Sequence, residues 1–408
     1  MSARDHFSTR RIDGGVTAPG GYRAAGLHCG VKANGKPDLS LIVSDTMASA
    51  AGVFTTNLAK AAPLYLCEAN LAATGGRAQA VITNSGCANA CTGPQGEADA
   101  REMAQLAAAA VGCDVANVLV ASTGVIGVNL KMDKLRTGVP LAAQALSHDG
   151  GADAARAIMT TDPFPKSCAV EVQTAAGTFR VGGMAKGSGM IEPRMATMLG
   201  YLTTDAAVEP ALLSRALTEA TRYTFNAITV DGEPSTNDCV FALANGQSGV
   251  SIDDTLYPAL FEAFRAVAHE LALGIVRGGE GATKVIAITV TGAATDADAW
   301  MAARAIANSP LVKTAVHGGD PNWGRLIAAA GRSGAAFVLG GARVQIGSLV
   351  LFENGRPFDE LAPKAAEYLT GTDLAIEVDL GAGGPHTATV WTCDLSAEYV
   401  KINAEYRT

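Results

Sequence analysis

The segment KGSGMIEPRMATM, residues 186–198, carries the strongest signal for the fold and its chemistry. Its Gly-rich start can expose backbone N–H groups, and Ala196-Thr197 places a hydroxyl directly after a small side chain. That junction resembles a self-cleavage site: the hydroxyl attacks the preceding carbonyl, and hydrolysis of the ester leaves Thr197 as a new amino terminus. The α-amine, which titrates at about 7.7–8.0, can then act as the base for its own hydroxyl. Spacing alone also fits an ordinary threonine near a helix start, and makes Thr203 and Thr204 comparable candidates.

The composition places the chain among globular proteins. Its 408 residues suggest two to three domains at about 150 residues each, and 48% of them are apolar. The 46 glycines are dispersed, which excludes collagen-like and low-complexity chains. A formal charge of -8, with no long basic run, gives no electrostatic reason to expect nucleic acid as a partner.

Targeting, membrane and metal signals are weak. Residues 1–15 contain no apolar run, so no secretory signal is expected, and the apolar window 104–130 is interrupted by polar residues and glycines. The eight cysteines form no CxxC pair and the six histidines are scattered. We therefore expect a soluble cytoplasmic protein with reduced thiols, no membrane association and no metal site. No nucleotide or dinucleotide signature is present, so no cofactor is expected.

Apolar periodicity predicts an α/β protein, because short β-branched runs alternate with Ala-rich amphipathic stretches. We expect a main α/β region over residues 1–280 and a smaller α/β unit over 281–408. The predicted strands are Leu39–Ser44, Ala80–Thr83, Val118–Ala121, Cys168–Thr174, Phe179–Gly183, Lys284–Val290, Ala336–Leu339, Gln345–Phe352, Leu374–Leu380 and His386–Thr392. The predicted helices are Gly96–Val111, Pro140–Leu146 with Pro140 in its first turn, Asp153–Met159, Tyr257–Ile275 and Asp296–Ala315.

Five further polar segments stand out in this apolar chain. Loops dense in Gly, Asn and Thr commonly lie at strand ends, where function concentrates. The segments are NSGCANACTG at 84–93, STGVIG at 122–127, MTTDPFPK at 159–166, TVDGEPSTND at 229–238 and HGGDPNWGR at 317–325.

Taken together, several strings resemble the ornithine acetyltransferase family of arginine biosynthesis. The matching strings include KGSGMIEPRMATMLGYLTTDA, GGVTAPGGYRAAG, GKPDLSLIVSD, AAGVFTTN, TVDGEPSTND, GGDPNWGR and the terminal KINAEYRT. Their order and spacing cover the chain from Gly14 to Thr408. Cys87 stands where the family pattern leads us to expect Asn, which affects the expected local hydrogen bonding.

The resemblance implies an α-β-β-α sandwich of the self-cleaving N-terminal-nucleophile type. It implies cleavage between Ala196 and Thr197 into chains of residues 1–196 and 197–408, which associate as a heterotetramer of two of each. The implied activity moves acetyl from N2-acetyl-L-ornithine to L-glutamate through an acetyl-threonine, by a ping-pong mechanism. Bifunctional members of the family also use acetyl-CoA as a donor, and the residues of this chain leave that point open.

The resemblance also assigns the site residues. Thr197 is the implied nucleophile, and Thr123 and Gly124 form the implied oxyanion hole, a role that suits a hydroxyl and a Gly N–H. The implied substrate contacts, which offer one cation and one carboxylate to an amino-acid substrate, are Thr160, Lys186, Thr197, Glu280, Asn403 and Thr408.

Some alternatives stay open at this point. Asp231, Asn237, Asp238 and Asn322 fit either backbone hydrogen bonding in turns or a catalytic role. His317 is left out of the catalytic set because the N-terminal amine makes a further base unnecessary. The nearer alternative function is an amidohydrolase or aminopeptidase of similar self-cleaving fold, with water as the acyl acceptor. The farther one is an uncleaved, non-catalytic binding protein.

Overall fold

A computed structural model describes residues 7–192 and 198–405. The strands are β1 Phe7–Ile12, β2 Tyr22–Leu27, β3 Leu39–Phe54, β4 Arg77–Cys87, β5 Val118–Val125, β6 Lys166–Thr174, β7 Gly177–Lys186, β8 Leu199–Thr204, β9 Cys239–Ala244, β10 Val285–Ala293, β11 Arg343–Ile346, β12 Leu349–Glu353, β13 Arg356–Pro357, β14 Asp373–Asp379 and β15 His386–Cys393. The α-helices are α1 Ala62–Ala73, α2 Gly93–Val111, α3 Met132–Gln144, α4 Gly151–Ala157, α5 Pro210–Arg222, α6 Tyr257–Arg277, α7 Asp296–Ala307, α8 Pro310–His317, α9 Trp323–Gly331, α10 Ala362–Tyr368 and α11 Ala397–Glu405. The predicted α/β class is confirmed.

The larger sheet is nine-stranded, in the order β1-β6-β7-β8-β9-β3-β4-β5, with β2 paired to β3. Two of its neighbouring pairs, β4 with β5 and β8 with β9, are parallel. Because parallel partners end at the same sheet edge, Thr123 of β5 lies opposite Ser85 of β4, and Leu199 of β8 lies opposite Cys239 of β9. The polar segments that follow β4 and β5 are thereby placed together, and so are the polar segments that precede β8 and β9.

Helices cover this sheet through apolar faces. On the 21-residue helix α6 the buried positions include Leu260, Phe264, Val267 and Leu271, which repeat at three- and four-residue spacing. This helix contacts β6 and β7 of the sheet and the neighbouring helix α5. The fully buried aromatic side chains Tyr201 and Phe241 belong to a separate apolar cluster, which includes buried residues of β3, β4 and β5. Two buried clusters therefore support the sheet that carries the site.

The second sheet has six strands in the order β13-β12-β11-β14-β10-β15. Its strand β10 pairs parallel with β14 and antiparallel with β15, and α7 packs against both β10 and β15. Residues 278–284 lead from α6 directly into β10 and carry Glu280. The loop that precedes β9 contacts the second sheet through a backbone hydrogen bond from the Thr229 N–H to the Trp391 carbonyl of β15, at 2.9 Å.

Four of the predicted elements differ clearly from the structure, and the sequence does not predict ten of the observed elements, which are β1, β2, β8, β9, β13, α1, α5, α9, α10 and α11. The helix predicted over 296–315 is two helices, because Pro310 cannot donate to the preceding turn and the Ser309 side chain caps the second helix. Pro140 lies inside α3, which starts eight residues earlier than predicted. Residues 345–352 form a hairpin turning at Gly347 (φ 60°), and 336–339 form no strand.

Over residues 7–192 and 198–405, no helix is both long and apolar enough to cross a membrane. Within the same ranges, no group of three or more His, Cys, Asp or Glu residues is arranged to hold a metal ion.

Candidate active site

A cleft with an empty volume of about 890 Å³, part of it open to solvent, forms where the two sheets and α11 meet. The walls come from the end of β5, the loop after α4, the end of β7, the start of β8, residues 231–238, the connection into β10 and helix α11. The cleft brings together the predicted site residues that the structure describes: Thr123, Gly124, Thr160, Lys186, Glu280 and Asn403.

The predicted oxyanion pair lies at the end of β5. Gly124 has φ +128°, and a Cβ there would lie 2.4 Å from the Gly86 carbonyl carbon of the paired strand β4, so only glycine fits this position. The neighbouring Thr123 is buried. Its hydroxyl oxygen accepts a hydrogen bond from Lys186 Nζ at 3.3 Å. A direct hydrogen bond therefore joins the Thr123 and Lys186 side chains in this wall of the cleft.

Lys186 and Thr160 are held by a shared carboxylate that the sequence reasoning missed. Asp162 Oδ1 accepts from Lys166 Nζ at 2.6 Å and from the Gly187 N–H at 2.8 Å, and Oδ2 accepts from the Thr160 N–H at 2.9 Å. Burial alone would raise the pKa of Asp162, but the charges of Lys186 and Lys166 and these hydrogen bonds hold it well below its usual value. The available signal was the position of this aspartate within the polar segment 159–166.

Glu280 and Asn403 form another part of the cleft wall. Asn403 Nδ2 on α11 donates to Glu280 Oε2 at 2.8 Å, and the Glu280 N–H donates to the Ser188 carbonyl at 3.0 Å. The Glu280 side chain packs directly over Gly189, where a Cβ would lie 2.5 Å from Oε2. The cleft thus offers a lysine ammonium in one wall and a glutamate carboxylate in another.

The predicted junction Ala196-Thr197 and the predicted contact Thr408 lie outside the described residues. Met198, the residue bonded to Thr197, lines the cleft, and its carbonyl accepts from the Cys239 N–H at 3.0 Å. On the other side of the junction, Glu192 is buried and pairs with Arg304 at 2.6 Å. Both flanks of the junction are therefore anchored.

Three of the residues whose roles were left open have structural partners. The Asp231 carboxylate accepts from the Met190 and Ile191 N–H groups at 2.7 and 2.8 Å, which fixes the chain ahead of the junction. Asn237 Nδ2 donates to the Ser122 carbonyl at 2.9 Å, beside the predicted oxyanion pair. His317 is outside the cleft lining and pairs with Asp394 at 2.7 Å.

Asp238 is different. It lies in the cleft wall with 3% of its surface exposed, and within the described part of the chain its Oδ2 has no hydrogen-bond partner. Burial raises its pKa well above the ordinary value, against the opposing effects of the Ser235 hydrogen bonds and the Lys186 charge. This carboxyl group therefore keeps its proton to a higher pH than an ordinary aspartate.

Tyr399 is a second cleft residue that the sequence reasoning missed. Its hydroxyl lies 3.3 Å from Asp231 Oδ2, and burial together with that carboxylate raises the pKa of the phenol. It therefore ties α11 to the segment that Asp231 fixes.

Cys87, the departure from the expected pattern, is buried and donates from Sγ to the Val128 carbonyl at 3.0 Å. Burial raises the pKa of this thiol. The side chain therefore satisfies its hydrogen bonding locally as an unreactive thiol.

Comparison with known proteins identifies the family. The ArgJ family model matches residues 23–408. The chain belongs to the ArgJ family. The arginine biosynthesis bifunctional protein ArgJ of Symbiobacterium thermophilum is 53% identical over 404 residues, covering 97% of this chain and 99% of the relative. The protein of the same name from Synechocystis sp. is 49% identical over 409 residues, covering 97% and 98%. The resemblance inferred from the motifs is confirmed, and with it the fold class of this family.

Solved structures of ArgJ proteins match as well. Ornithine acetyltransferase from Mycobacterium tuberculosis, complexed with ornithine, is 45% identical, with a TM-score of 0.43 and coverage of 46% of this chain and 100% of that one. ArgJ from Bacillus halodurans is 40% identical, with a TM-score of 0.44 and coverage of 47% of this chain and 99% of that one.

Proposed function

We propose that this ArgJ-family protein transfers an acetyl group from N2-acetyl-L-ornithine to L-glutamate through an acetyl-threonine on Thr197. Membership of the ArgJ family makes the chain an acyltransferase of arginine biosynthesis. The observation that carries the finer proposal is the meeting of Thr123, Gly124, Lys186 and Glu280 in one cleft that Met198, the residue after Thr197, also lines.

The charges of the cleft suit the substrates. N2-Acetylornithine carries an α-carboxylate and a side-chain ammonium, and glutamate shares its α-amino-acid frame. In the proposal Lys186 binds the carboxylate and Glu280 the ammonium, while Thr160 and Asn403 fix orientation. A relative, the Mycobacterium tuberculosis ornithine acetyltransferase, was solved in complex with ornithine, which supports a small amino-acid ligand.

The chemistry follows in two half-reactions. The Thr197 hydroxyl attacks the acetyl carbonyl and gives its proton to its own α-amine, while the Thr123 hydroxyl and the Gly124 N–H donate to the developing oxyanion. The tetrahedral intermediate collapses, the C–N bond breaks, and ornithine leaves with the proton. The neutral α-amine of glutamate then attacks the acetyl ester, and Thr197 regains its hydroxyl proton as N-acetylglutamate forms.

Maturation must come first, because the Thr197 amine exists only after cleavage. We expect the purified protein to give two chains, the second starting at Thr197, whereas Thr197→Ala stays as one chain and is inactive. Amino-terminal sequencing checks the junction, and a second chain that starts elsewhere contradicts it. A single band near 41.5 kDa for the wild type favours the binding-protein alternative.

The decisive experiment separates transfer from hydrolysis. Enzyme mixed with N2-acetylornithine alone should gain the mass of one acetyl group on the 197–408 chain, and double-reciprocal plots at several glutamate concentrations should be parallel. Intersecting lines with no acetylated chain contradict the acetyl-threonine. Rapid hydrolysis of N2-acetylornithine without N-acetylglutamate formation favours the amidohydrolase alternative.

Donor range, assembly and location complete the proposal. Acetyl-CoA is proposed as a second donor, since the relatives are named bifunctional, and it is tested by replacing N2-acetylornithine with acetyl-CoA in the same assay. The two chains are proposed to assemble as a cytoplasmic heterotetramer without a cofactor. Light scattering of the purified protein gives its mass, and a mass of one copy of each chain contradicts the tetramer.

A further inference from the structure

The buried carboxylate of Asp162 joins two parts of the cleft that are far apart in the sequence. One oxygen holds the Thr160 N–H, and the other holds the Gly187 N–H directly after Lys186. Its side chain is fully buried, and so is nearly all of its ion-pair partner Lys166. An aspartate has two oxygens able to accept all three donors, whereas an asparagine has one such oxygen and an NH₂ group that meets the remaining donors unfavourably.

The charge of Asp162 also matters to Lys186. Lys186 is buried in the cleft wall, and its positive charge is among the causes that lower the pKa of Asp162, so the two groups attract each other. Lys32 lies close enough to Lys186 for their charges to repel. The hydrogen bond from the Gly187 N–H to Asp162 fixes the backbone next to Lys186, and the negative charge of Asp162 attracts the Lys186 ammonium.

Lys186 in turn determines how Thr123 can donate. A threonine hydroxyl has one hydrogen to give and two lone pairs that accept. Lys186 Nζ donates to the Thr123 oxygen, so the hydroxyl is the acceptor in this contact. The hydroxyl hydrogen therefore remains available for donation to another acceptor. In the cleft, that acceptor is the oxyanion of the reacting acetyl group.

We propose that Asp162 is a positioning residue of the acetyl-transfer site, which fixes Thr160 and Lys186 and, through Lys186, turns the Thr123 hydroxyl into an oxyanion donor. This inference rests on the proposed function. It assigns to Asp162 no contact with the substrate, and it predicts a defect in the chemical step that depends on Thr123.

The test is a double-mutant cycle on kcat, with rates expressed per cleaved protomer. Asp162→Asn should lower kcat for N-acetylglutamate formation by about 10- to 100-fold. This decrease does not exceed the decrease in kcat expected from removing one oxyanion donor. In a Thr123→Ala background the same change should lower kcat by less than about threefold, because coupled residues are not additive. The matched control Asp153→Asn, an exposed aspartate of α4, should leave kcat unchanged.

A purely structural role would give a different result. Equal kcat losses from Asp162→Asn in both backgrounds, or a folded Asp162→Asn variant with wild-type kcat, overturn the proposal. Failure of the wild type itself to form N-acetylglutamate overturns the proposed function instead, so the two failures are distinguishable.

If Asp162→Asn does not fold, two further variants test the same proposal. Asp162→Asn with Lys166→Met removes the ammonium that the single change leaves unpaired, and it should show the same loss of kcat. Lys186→Met keeps the Asp162–Lys166 pair, and its effect on kcat should also shrink in the Thr123→Ala background. If the effects of Lys186→Met and Thr123→Ala on the free energy of activation are additive, Asp162 does not act on Thr123 through Lys186, and the proposal is overturned.

Discussion

Asn403, on the last helix of the described chain, donates from Nδ2 to Glu280 Oε2 at 2.8 Å across 123 positions of sequence. The same amide group also donates to the Tyr399 carbonyl at 3.0 Å, one helical turn earlier. Two hydrogen bonds thus fix the amide, and the amide fixes one oxygen of the carboxylate proposed to bind the substrate ammonium. The geometry of that carboxylate depends on α11.

Asn403→Ala should therefore weaken substrate binding more than chemistry. Loss of a hydrogen bond to a charged group releases Glu280, and we expect KM for N2-acetylornithine to rise about tenfold with a smaller change in kcat. Steady-state kinetics measure the two constants. Lys401→Ala is the matched control, because this exposed lysine on the same helix pairs with Glu398 and is not among the residues lining the cleft. An unchanged KM in Asn403→Ala contradicts the role of the pair.

Gly189→Ala tests the same carboxylate from the opposite side. A Cβ at this position would lie 2.5 Å from Glu280 Oε2 and 2.6 Å from Cδ, so the carboxylate must move. Because the carboxylate ends a flexible side chain, we expect a change in Tm of less than about 2 °C but a KM for N2-acetylornithine raised about tenfold. Gly331→Ala, where a Cβ meets no atom within 4 Å, is the control. A variant with wild-type KM shows that the position of Glu280 does not limit binding.

Thr123→Ala addresses the oxyanion hole directly. Removing one donor to a developing oxyanion lowers kcat by about 10²–10³, or about 3–4 kcal/mol, while ground-state binding changes little. We expect a loss of that size for acetyl transfer, with KM within about threefold of the wild type. Pre-steady-state acetylation of the 197–408 chain is the measurement. A wild-type acetylation rate in the variant shows that Thr123 is not a donor of the oxyanion hole.

The sequence predicts most of the regular elements because they follow apolar periodicity. Helix α6 and strands β6 and β14 fall close to their predicted positions, since each presents a continuous apolar face. Two of the errors lie where local chemistry interrupts the pattern. Ser309-Pro310 divides a continuous Ala-rich run into α7 and α8, and Gly347 turns one β-branched run into a hairpin.

The site shows a similar division between what could and could not be predicted. Residues that present a functional group in a recognisable string, such as Thr123 in STGVIG, are accessible to sequence reasoning. Asp162 and Tyr399 are not, because their importance comes from partners that are remote in sequence: Gly187 is 25 positions from Asp162, and Asp231 is 168 positions from Tyr399. Only the fold brings such pairs together.

The raised pKa of Asp238 predicts a pH dependence of stability. The unfolded chain releases this proton at about pH 3.9, whereas burial raises the folded-state pKa well above that value. The native state therefore binds the proton more tightly. Its stabilising contribution is fully present below about pH 3.9 and is lost as the pH rises through the folded-state pKa.

Asp238→Asn should remove this loss, because an amide imitates the uncharged carboxylic acid at every pH. The variant should be more stable than the wild type at pH 8, by about 1 °C in Tm for each kcal/mol in a chain of 408 residues, and the difference should shrink as the pH falls towards 4. Thermal unfolding between pH 4 and 9 checks this, with the exposed Asp149→Asn as the control. A difference in Tm that is constant over this range means that Asp238 is ionised in both states at neutral pH, and that its unpartnered oxygen carries a charge into the cleft.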